Sequence, residues 1–163
     1  MGAKRKKMIF SSAALKTLLI AMVPVVELRG AIPVGLAGGL PYWEAVTLAI
    51  IGNILPVPFL IVFAQRVMRW LAARFRFMRK FTDFVETRAV AKAEKIKSYQ
   101  LLGLMLFVAI PLPGTGAWTG SLVAAVLELP MKKAVPVIFA GLLIAAAIVT
   151  AVSYSAIALL AEF

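Results

Sequence analysis

The sequence predicts an all-α integral membrane protein, in which two re-entrant helical hairpins and two or more transmembrane helices form an internal, inverted repeat joined by a basic amphipathic helix. Hydrophobic residues make up 63% of the 163-residue chain and charged residues 15%, and the mean hydropathy is +0.97. A soluble domain is about half apolar and about a quarter charged. The apolar residues fall into four blocks, of which the first and third are interrupted: 8–40, 45–64, 101–127 and 134–160.

The first block, 8–40, is broken by residues that disfavour a continuous helix. The interruption is the run ELRGAIP at 27–33, which contains Gly30 and Pro33. Two half-helices that meet at this turn form a hairpin, which is tolerated at membrane depth where protein or water satisfies its free N–H and C=O groups. The alternative is that 8–26 spans alone and the interruption is an interfacial loop.

The second and fourth blocks, 45–64 and 134–160, each contain 20 or more residues without a charge. A helix rises about 1.5 Å per residue, so each block is long enough to cross a hydrocarbon core of about 30 Å. Pro56 and Pro58 should kink the second block. We therefore expect both blocks to be transmembrane helices.

The third block, 101–127, would be about 40 Å long as one helix, which is too short for two full crossings. It is interrupted by the run PLPGTGAWTG at 111–120. We expect a second hairpin whose turn contains eight candidate residues: Pro111, Pro113, Gly114, Thr115, Gly116, Trp118, Thr119 and Gly120. An ordinary interfacial loop is again the alternative.

A basic linker, 66–100, joins the two halves of the chain. Its apolar residues recur every three or four positions from Val67 to Val85, with arginines between them, which is typical of an amphipathic helix on an anionic membrane surface. The alternative is a short cytosolic helix docked on the bundle.

Of the 18 Lys and Arg residues, 14 lie in 1–7 or 66–97. The positive-inside rule places the linker in the cytoplasm and the chain in the inner (cytoplasmic) membrane as a multi-pass protein, with the side of the N-terminus left open.

An internal repeat relates the two halves. Leu40-Pro41, Ala45-Val46 and Gly52 all recur 89 residues later. The pattern predicts one membrane domain, 1–163, with a first repeat at 8–65 and a second at 101–160. If each repeat contains one hairpin and one span, the halves have opposite topology, which is the plan of many secondary transporters.

The composition also restricts the chemistry. The chain has no His and no Cys, and Asp83 is its only aspartate. It therefore offers no imidazole base, no thiolate nucleophile and no common zinc site. We expect no enzymatic activity, no cofactor and no bound metal. We also expect no nucleic-acid binding, because no soluble domain is present to carry a basic face.

Glu27 and Arg29 are the charges most indicative of function, because they interrupt apolar sequence in which only Lys16 is also charged. Ionisable residues inside a membrane are costly and usually pair, face a cavity and have a function. We expect Glu27 to carry protons and Arg29 to bind an anionic group or lipid headgroup with its guanidinium. The alternative is that the two residues form a pair at an interfacial helix end.

The second hairpin turn has no charge but offers hydroxyl groups from Thr115 and Thr119, the indole N–H of Trp118, and free backbone groups. Half-helix ends expose N–H groups that can hold an anion. Trp118 could instead be an interfacial anchor, which is the commoner use of Trp in membranes.

With both interruptions considered together, ELRGAIP at 27–33 and PLPGTGAWTG at 111–120, the chain resembles the small multidrug export protein family, which we interpret as a branch of the DedA superfamily. The resemblance implies two facing re-entrant hairpins with intramembrane charges, and roles in proton-dependent export or in moving polyprenyl-phosphate and other lipids. DedA-like proteins carry arginines in the second hairpin. Here Thr115, Trp118 and Thr119 occupy that region, and Arg29 is expected to substitute.

The leading hypothesis is a membrane transporter that couples export of a small or anionic amphipathic substrate to protons. The alternatives are a DedA-like flippase or scramblase for phosphate-bearing lipids, and a non-transporting membrane scaffold. The expected partners are membrane lipids, a small-molecule or lipid-phosphate substrate and protons. A homodimer is also expected, because a chain of 17.5 kDa is small for enclosing a transport path.

Overall fold

The computed structural model describes residues 12–74, 93–112 and 114–161. All regular structure within these ranges is α-helical, which confirms the all-α prediction. The helices are α1 Ser12–Met22, α2 Glu27–Ala37, α3 Tyr42–Ile54, α4 Val57–Arg74, α5 Ala93–Ala109, α6 Ala117–Val126 and α7 Met131–Ala161.

Two stretches of helix are long and apolar enough to cross a membrane, as expected for the second and fourth blocks. They are Tyr42–Leu71, which comprises α3 and most of α4, and Met131–Ser153 within α7. The predicted kink in the first of them is a helix break at Leu55 and Pro56. Proline at this place removes a backbone donor, so the i to i−4 ladder cannot run through it unbroken.

The first hairpin consists of α1 and α2, but its turn lies earlier than predicted. The chain reverses at 23–26, where Pro24 cannot continue α1 and Val25 has φ of 75°. The predicted turn residues Gly30 and Pro33 are inside α2. Pro33 removes one backbone donor, and burial of the helix face that contains Leu28 compensates, so tertiary packing outweighs the local preference.

The second hairpin consists of α5 and α6, with its turn at 110–116. Pro111, Gly114, Thr115 and Gly116 lie in this turn as predicted, whereas Pro113 is outside the described residues. Trp118, Thr119 and Gly120 were predicted in the turn and instead form the first turn of α6. The helix begins early because Gly116, with φ of 138°, redirects the chain before Ala117.

The linker prediction is only partly covered by the described residues. Helix α4 continues from the span to Arg74, and α5 already begins at Ala93. Residues 75–92 lie outside the described ranges, and most of the proposed amphipathic helix with them.

The sequence repeat has a counterpart in the backbone hydrogen bonds that end α2 and α6. After α2, the Leu40 N–H donates to the Gly35 carbonyl and the Gly39 N–H to the Leu36 carbonyl, at 3.1 and 3.0 Å. After α6, the Leu129 and Glu128 N–H groups donate to the carbonyls of Ala124 and Ala125, at 2.9 and 3.1 Å. Each bond recurs at the 89-residue offset. Both ends are Schellman motifs, in which the residue before the Leu has positive φ.

The two hairpins pack differently on the long helices. Helices α1 and α2 pack on each other and on α3, whereas α5 packs mainly on α7 and α6 packs mainly on α4, with smaller contacts to α5 and α7. Tyr42 at the start of α3 shares a groove with Thr150 and Ser155 late in α7, whereas Gln65 of α4 donates to the Leu129 carbonyl just before α7, at 3.2 Å. The α3–α4 pair and α7 therefore run antiparallel, and the two Leu-Pro turns lie at opposite ends.

Two glycines allow each hairpin to approach its long helix closely. A Cβ on Gly52 would lie 2.9 Å from the Cβ of Ala21 in α1. A Cβ on Gly141, at the equivalent position of the repeat, would lie 2.7 Å from the Met105 carbonyl oxygen and 2.8 Å from the Cβ of Val108 in α5. Association of helices in lipid depends on such close packing at small residues.

We predict that Gly141→Ala destabilises the protein by about 1–3 kcal/mol, because the added methyl group overpacks the α5–α7 contact. Gly103→Ala is the matched control: it lies in α5, and a Cβ there would meet nothing within 4 Å. Alanine favours a helix over glycine by about 1 kcal/mol at either site, so the control should be neutral or stabilising. Thermal unfolding in detergent measures both variants, and equal stability of the two would contradict close packing at Gly141.

Candidate functional site

The tips of the two hairpins meet, with the Glu27 carboxyl group buried and the contact from Arg29 to Ile110 exposed. Glu27, the first residue of α2, and Arg29, two residues later, contact the segment 110–118 that joins α5 to α6. We call Glu27, Arg29, Thr115, Gly116 and Trp118 the tip cluster. It brings together the two charges and three of the turn residues that the sequence predicted as a site.

Glu27 caps a helix that belongs to the other hairpin. Its side chain is 3% exposed, and its Oε1 accepts a hydrogen bond from the Trp118 backbone N–H at 3.1 Å. The residue at the N-cap of α6 is Gly116, which has no side chain to cap the helix. A carboxylate near a helix N-terminus accepts from the free N–H groups and interacts favourably with the helix dipole. Glu27 therefore supplies the cap that Gly116 lacks.

Gly116 is also required for Glu27 to reach the helix end. A Cβ on Gly116 would collide with the carboxyl group of Glu27, and the residue has φ of 138°, which side-chain-bearing residues rarely adopt. The backbone of the second hairpin and the carboxyl group of the first are thus in direct contact.

Arg29 binds the other side of the helix break between α5 and α6, at the carbonyl end of α5. Its Nη2 donates to the Ile110 carbonyl at 3.1 Å and to the Thr115 Oγ1 at 3.0 Å, and its Nη1 donates to the Thr115 carbonyl. The Ile110 carbonyl follows the last residue of α5, where carbonyl groups have no partner within the helix. The guanidinium therefore satisfies groups that the end of α5 leaves free.

Glu27 and Arg29 also interact with each other, with 3.6 Å between Oε2 and Nη1. On a regular helix, residues two apart point to nearly opposite sides and do not easily pair. Glu27 and Arg29 pair because Glu27 itself has φ of 51°, so its side chain leaves the regular helix direction.

Thr115 and Trp118 complete the contact between the tips. The Thr115 hydroxyl lies 2.6 Å from the Ile110 carbonyl and accepts from the Leu112 N–H at 3.2 Å, which closes the turn. The Trp118 indole donates to the Met22 carbonyl, the last residue of α1, at 3.1 Å. Trp118 therefore fastens α6 to the first hairpin with its side chain while its backbone binds Glu27.

The remaining predicted site residues lie outside this contact. Gly30 and Pro33 are in α2, and Gly120 packs against Val108 of α5. A Cβ on Gly114 would meet nothing within 4 Å. Among the described residues, no group of three or more His, Cys, Asp or Glu is placed to hold a metal ion.

Among the residues that the structure describes, two buried polar side chains that the sequence argument missed contain atoms without a hydrogen bond. Asn53 of α3 is fully buried, and neither of its amide atoms has a hydrogen bond. The sequence could have indicated Asn53, because it is the chain's only asparagine and lies within an apolar span. Thr150 of α7 is 7% exposed, and its Oγ1 also lacks a partner.

Thr150 lines a groove of about 580 Å³ near the end of α7, together with Tyr42, Ala147, Ala151 and Ser155. This volume is in the range of pockets that bind drug-sized molecules, about 300–1,000 Å³. Its walls are mostly apolar, with hydroxyl groups as the polar contribution. No local sequence pattern indicates this groove, because its lining residues come from two helices that are far apart in the chain.

In a comparison with protein families, the family model described as "Putative small multi-drug export protein" matches residues 27–148. The matched segment begins at Glu27, and it includes the whole tip cluster. No curated protein and no solved structure matches the chain.

We predict that Gly116→Ala destabilises the protein by about 1–3 kcal/mol more than Gly114→Ala. Both glycines have positive φ, so both variants strain the backbone. Only the methyl group at position 116 also collides with the Glu27 carboxyl group. Thermal unfolding in detergent gives the difference, and indistinguishable losses would show that the contact between Glu27 and Gly116 has no role in stability.

Proposed function

The chain belongs to the small multi-drug export protein family, and on that premise we propose that this membrane protein is a transporter that exports a small or anionic amphipathic substrate in exchange for protons. The contact that carries the proposal is the one between the hairpin tips, where Glu27 of the first hairpin caps α6 of the second. A proton taken up at Glu27 removes the charge that holds the tips together.

The proposal includes an inverted repeat of two re-entrant hairpins in the cytoplasmic membrane. Helices α1, α2 and α6 contain 11, 11 and 10 residues, so each is about 15 Å long, half of a hydrocarbon core. The Leu-Pro turns lie at opposite ends of the long helices, and the tips meet between them. Hairpins that enter from opposite faces and meet at mid-depth account for these three features, with α3–α4 and α7 as the multi-pass spans.

In this arrangement the tip cluster is the barrier between the two sides of the membrane. Glu27 is negative at the N-terminal, positive end of α6, and Arg29 is positive at the carbonyl end of α5. Protonated Glu27 keeps its size but loses its attraction to Arg29 and most of its strength as a cap. The link between the hairpins weakens on the Glu27 side, and substrate can pass while that side of the contact is open.

The chemistry of the groove beside Tyr42 and Thr150 supports the proposal that the substrate is small and amphipathic. It combines apolar walls with a buried hydroxyl group that lacks a partner, so a molecule with an apolar body and one hydrogen-bonding group fits its chemistry. We propose that membrane lipids surround the bundle, that two copies associate, and that the protein neither catalyses a covalent reaction nor binds nucleic acid.

Arg29 favours a second function, the DedA-like translocation of polyprenyl-phosphate or other phospholipids. Its Nε is buried and has no hydrogen-bond partner, which leaves a donor for a phosphate oxygen. The other guanidinium nitrogens already bind the second hairpin. A lipid phosphate would have to compete with those carbonyl groups, so we place this function second.

We predict that Glu27→Gln abolishes proton-driven transport while preserving the fold. Glutamine keeps an oxygen that can accept from the Trp118 N–H, but it carries no charge and cannot titrate. In vesicles with reconstituted protein, uptake of the anionic probe anilinonaphthalene sulfonate and of the cationic probe ethidium is followed under an imposed pH gradient. The variant should lose about tenfold or more of the gradient-driven rate, and the remaining rate should no longer change with pH.

Glu44→Gln is the matched control, since Glu44 lies in the first turn of α3 and outside the tip cluster. It should transport like the wild type. If Glu27→Gln transports the probes at an undiminished rate that still depends on pH, Glu27 does not carry the proton.

The lipid function has its own expected outcome. If the second function is correct, vesicles should show transbilayer movement of a labelled phospholipid, and Arg29→Lys should slow it about tenfold because an ammonium group cannot donate bidentately. Lipid movement without transport of either dye would favour the translocase over the exporter. Full lipid movement by Arg29→Ala would exclude Arg29 as its headgroup site.

A further inference from the structure

A second groove lies between α4 and α6, outside the tip cluster. It has a volume of about 300 Å³, and its lining includes Phe63, Val67 and Met68 of α4 and Leu122 and Val126 of α6. Phe63 is 56% exposed and Leu122 is 48% exposed. Every lining residue that the structure describes is apolar. The groove therefore suits a hydrocarbon chain, and unlike the groove beside Thr150 it offers an occupant no hydroxyl group.

The face of α4 that lines the groove becomes cationic beyond the apolar span. The span Tyr42–Leu71 includes the groove residues, and α4 continues past it to the exposed Arg74. Val67 and Arg74 are two helical turns apart, so they share one face of α4 at about 10 Å along its axis. Trp70, which is 63% exposed, lies between them on this face. Tryptophan is enriched where hydrocarbon meets headgroups, so this face follows the order of groups along a phospholipid.

Further cations from α7 lie at the same end of the bundle. The Gln65 side chain donates to the Leu129 carbonyl at 3.2 Å, which holds α4 beside the turn that precedes α7. Lys132 and Lys133 follow in the first turn of α7, and both are exposed. Arg69 is also exposed and lies one turn after Gln65 on the same side of α4.

This end of the bundle is therefore positively charged. Its described, exposed charged residues are five bases and one acid: Arg66, Arg69, Arg74, Lys132, Lys133 and Glu128. Basic pockets between transmembrane helices bind anionic lipid headgroups, and each Lys or Arg near the membrane surface adds to the attraction. A second copy of the chain is disfavoured as the occupant, because a symmetric contact would bring this cationic end against itself.

We propose that the α4–α6 groove binds one anionic phospholipid that stays with the protein. An acyl chain of the lipid lies between Phe63 and Leu122, and Arg74 binds the phosphate group with its guanidinium. The other cations at this end attract the headgroup without contacting it. The lipid is a resident ligand and not a transported substrate, so the site does not depend on the proton role of Glu27.

Lipid titration followed by native mass spectrometry tests the proposal on the delipidated full chain in detergent. Dioleoyl phosphatidylglycerol and dioleoyl phosphatidylcholine have the same acyl chains, so the difference between their affinities isolates the anionic headgroup. The protein should bind one phosphatidylglycerol per chain about tenfold more tightly than phosphatidylcholine. Glycerol 3-phosphate, which has a phosphate group but no acyl chain, should not compete.

Two charge variants locate the headgroup. Arg74→Gln should lower the affinity for phosphatidylglycerol about fivefold and leave the affinity for phosphatidylcholine unchanged. Arg69→Gln is the matched control, because it removes the same charge two residues from Val67 and therefore on the opposite side of α4. Its loss should be about twofold at most, since only the longer-range attraction is reduced.

Two tryptophan variants locate the acyl chain. Leu122→Trp should fill the groove and weaken the binding of both lipids about tenfold. Val62→Trp is the matched control, because Val62 is 42% exposed on α4 and does not line the groove. It should bind both lipids like the wild type.

The contrary outcomes are equally specific. Equal affinities for the two lipids, or equal losses in Arg74→Gln and Arg69→Gln, would overturn the headgroup site. Equal lipid binding by Leu122→Trp and Val62→Trp would overturn the acyl-chain site. A dimer in the wild type that Leu122→Trp dissociates, with lipid binding unchanged, would show that a second copy occupies the groove instead.

Discussion

The contact between a carboxylate of one hairpin and a helix end of the other determines how the two halves of this protein fit together. Glu27 binds the N-terminus of α6, and Arg29 binds the carbonyl end of α5. A broken helix leaves donors on one side of the break and acceptors on the other, and lipid can satisfy neither. Glu27 accepts from the free donors at one side of the break, and Arg29 donates to the free acceptors at the other side. The first hairpin therefore satisfies backbone groups that the second hairpin cannot satisfy itself.

The internal repeat accounts for part of the helix packing but not for the contact between the hairpin tips. The turns after α2 and α6 share their hydrogen bonds at the same offset, and Gly52 and Gly141 take equivalent positions against α1 and α5. The tips differ. Where the first repeat has Glu27, the second has Gly116. This difference is complementary, because the carboxyl group of one fills the space that the missing side chain of the other leaves open. The repeated sequence pattern thus contains an asymmetric contact at its tips.

Much of the helix plan could be predicted from the sequence, because apolar blocks, prolines and the Leu-Pro repeat are local signals. The first hairpin turn was predicted too late in the chain, because Gly30 and Pro33 disfavour a helix locally. Burial of one face of α2 outweighs that local preference, so both residues lie inside the helix. The contact between Glu27 and the second hairpin was anticipated only through the two facing hairpins with intramembrane charges that the family resemblance implies. Its form, a helix cap in trans, depends on residues about 90 positions apart, which no local pattern encodes. Asn53 was missed because a single amide in an apolar span has no periodicity.

In the proposed mechanism, protonation of Glu27 acts unequally on the two sides of the helix break between α5 and α6. Arg29 stays charged in any environment, so its bonds to the carbonyls of Ile110 and Thr115 persist when Glu27 becomes neutral. The group released is the N-terminus of α6, whereas the end of α5 stays bound to the first hairpin. Helix α6 ends at a turn whose Leu129 carbonyl accepts from Gln65, so its far end is anchored to α4. Loss of the cap thus frees the N-terminus of α6 from Glu27, while the bonds of Arg29 and the bond from the Trp118 indole to Met22 still join the two hairpins.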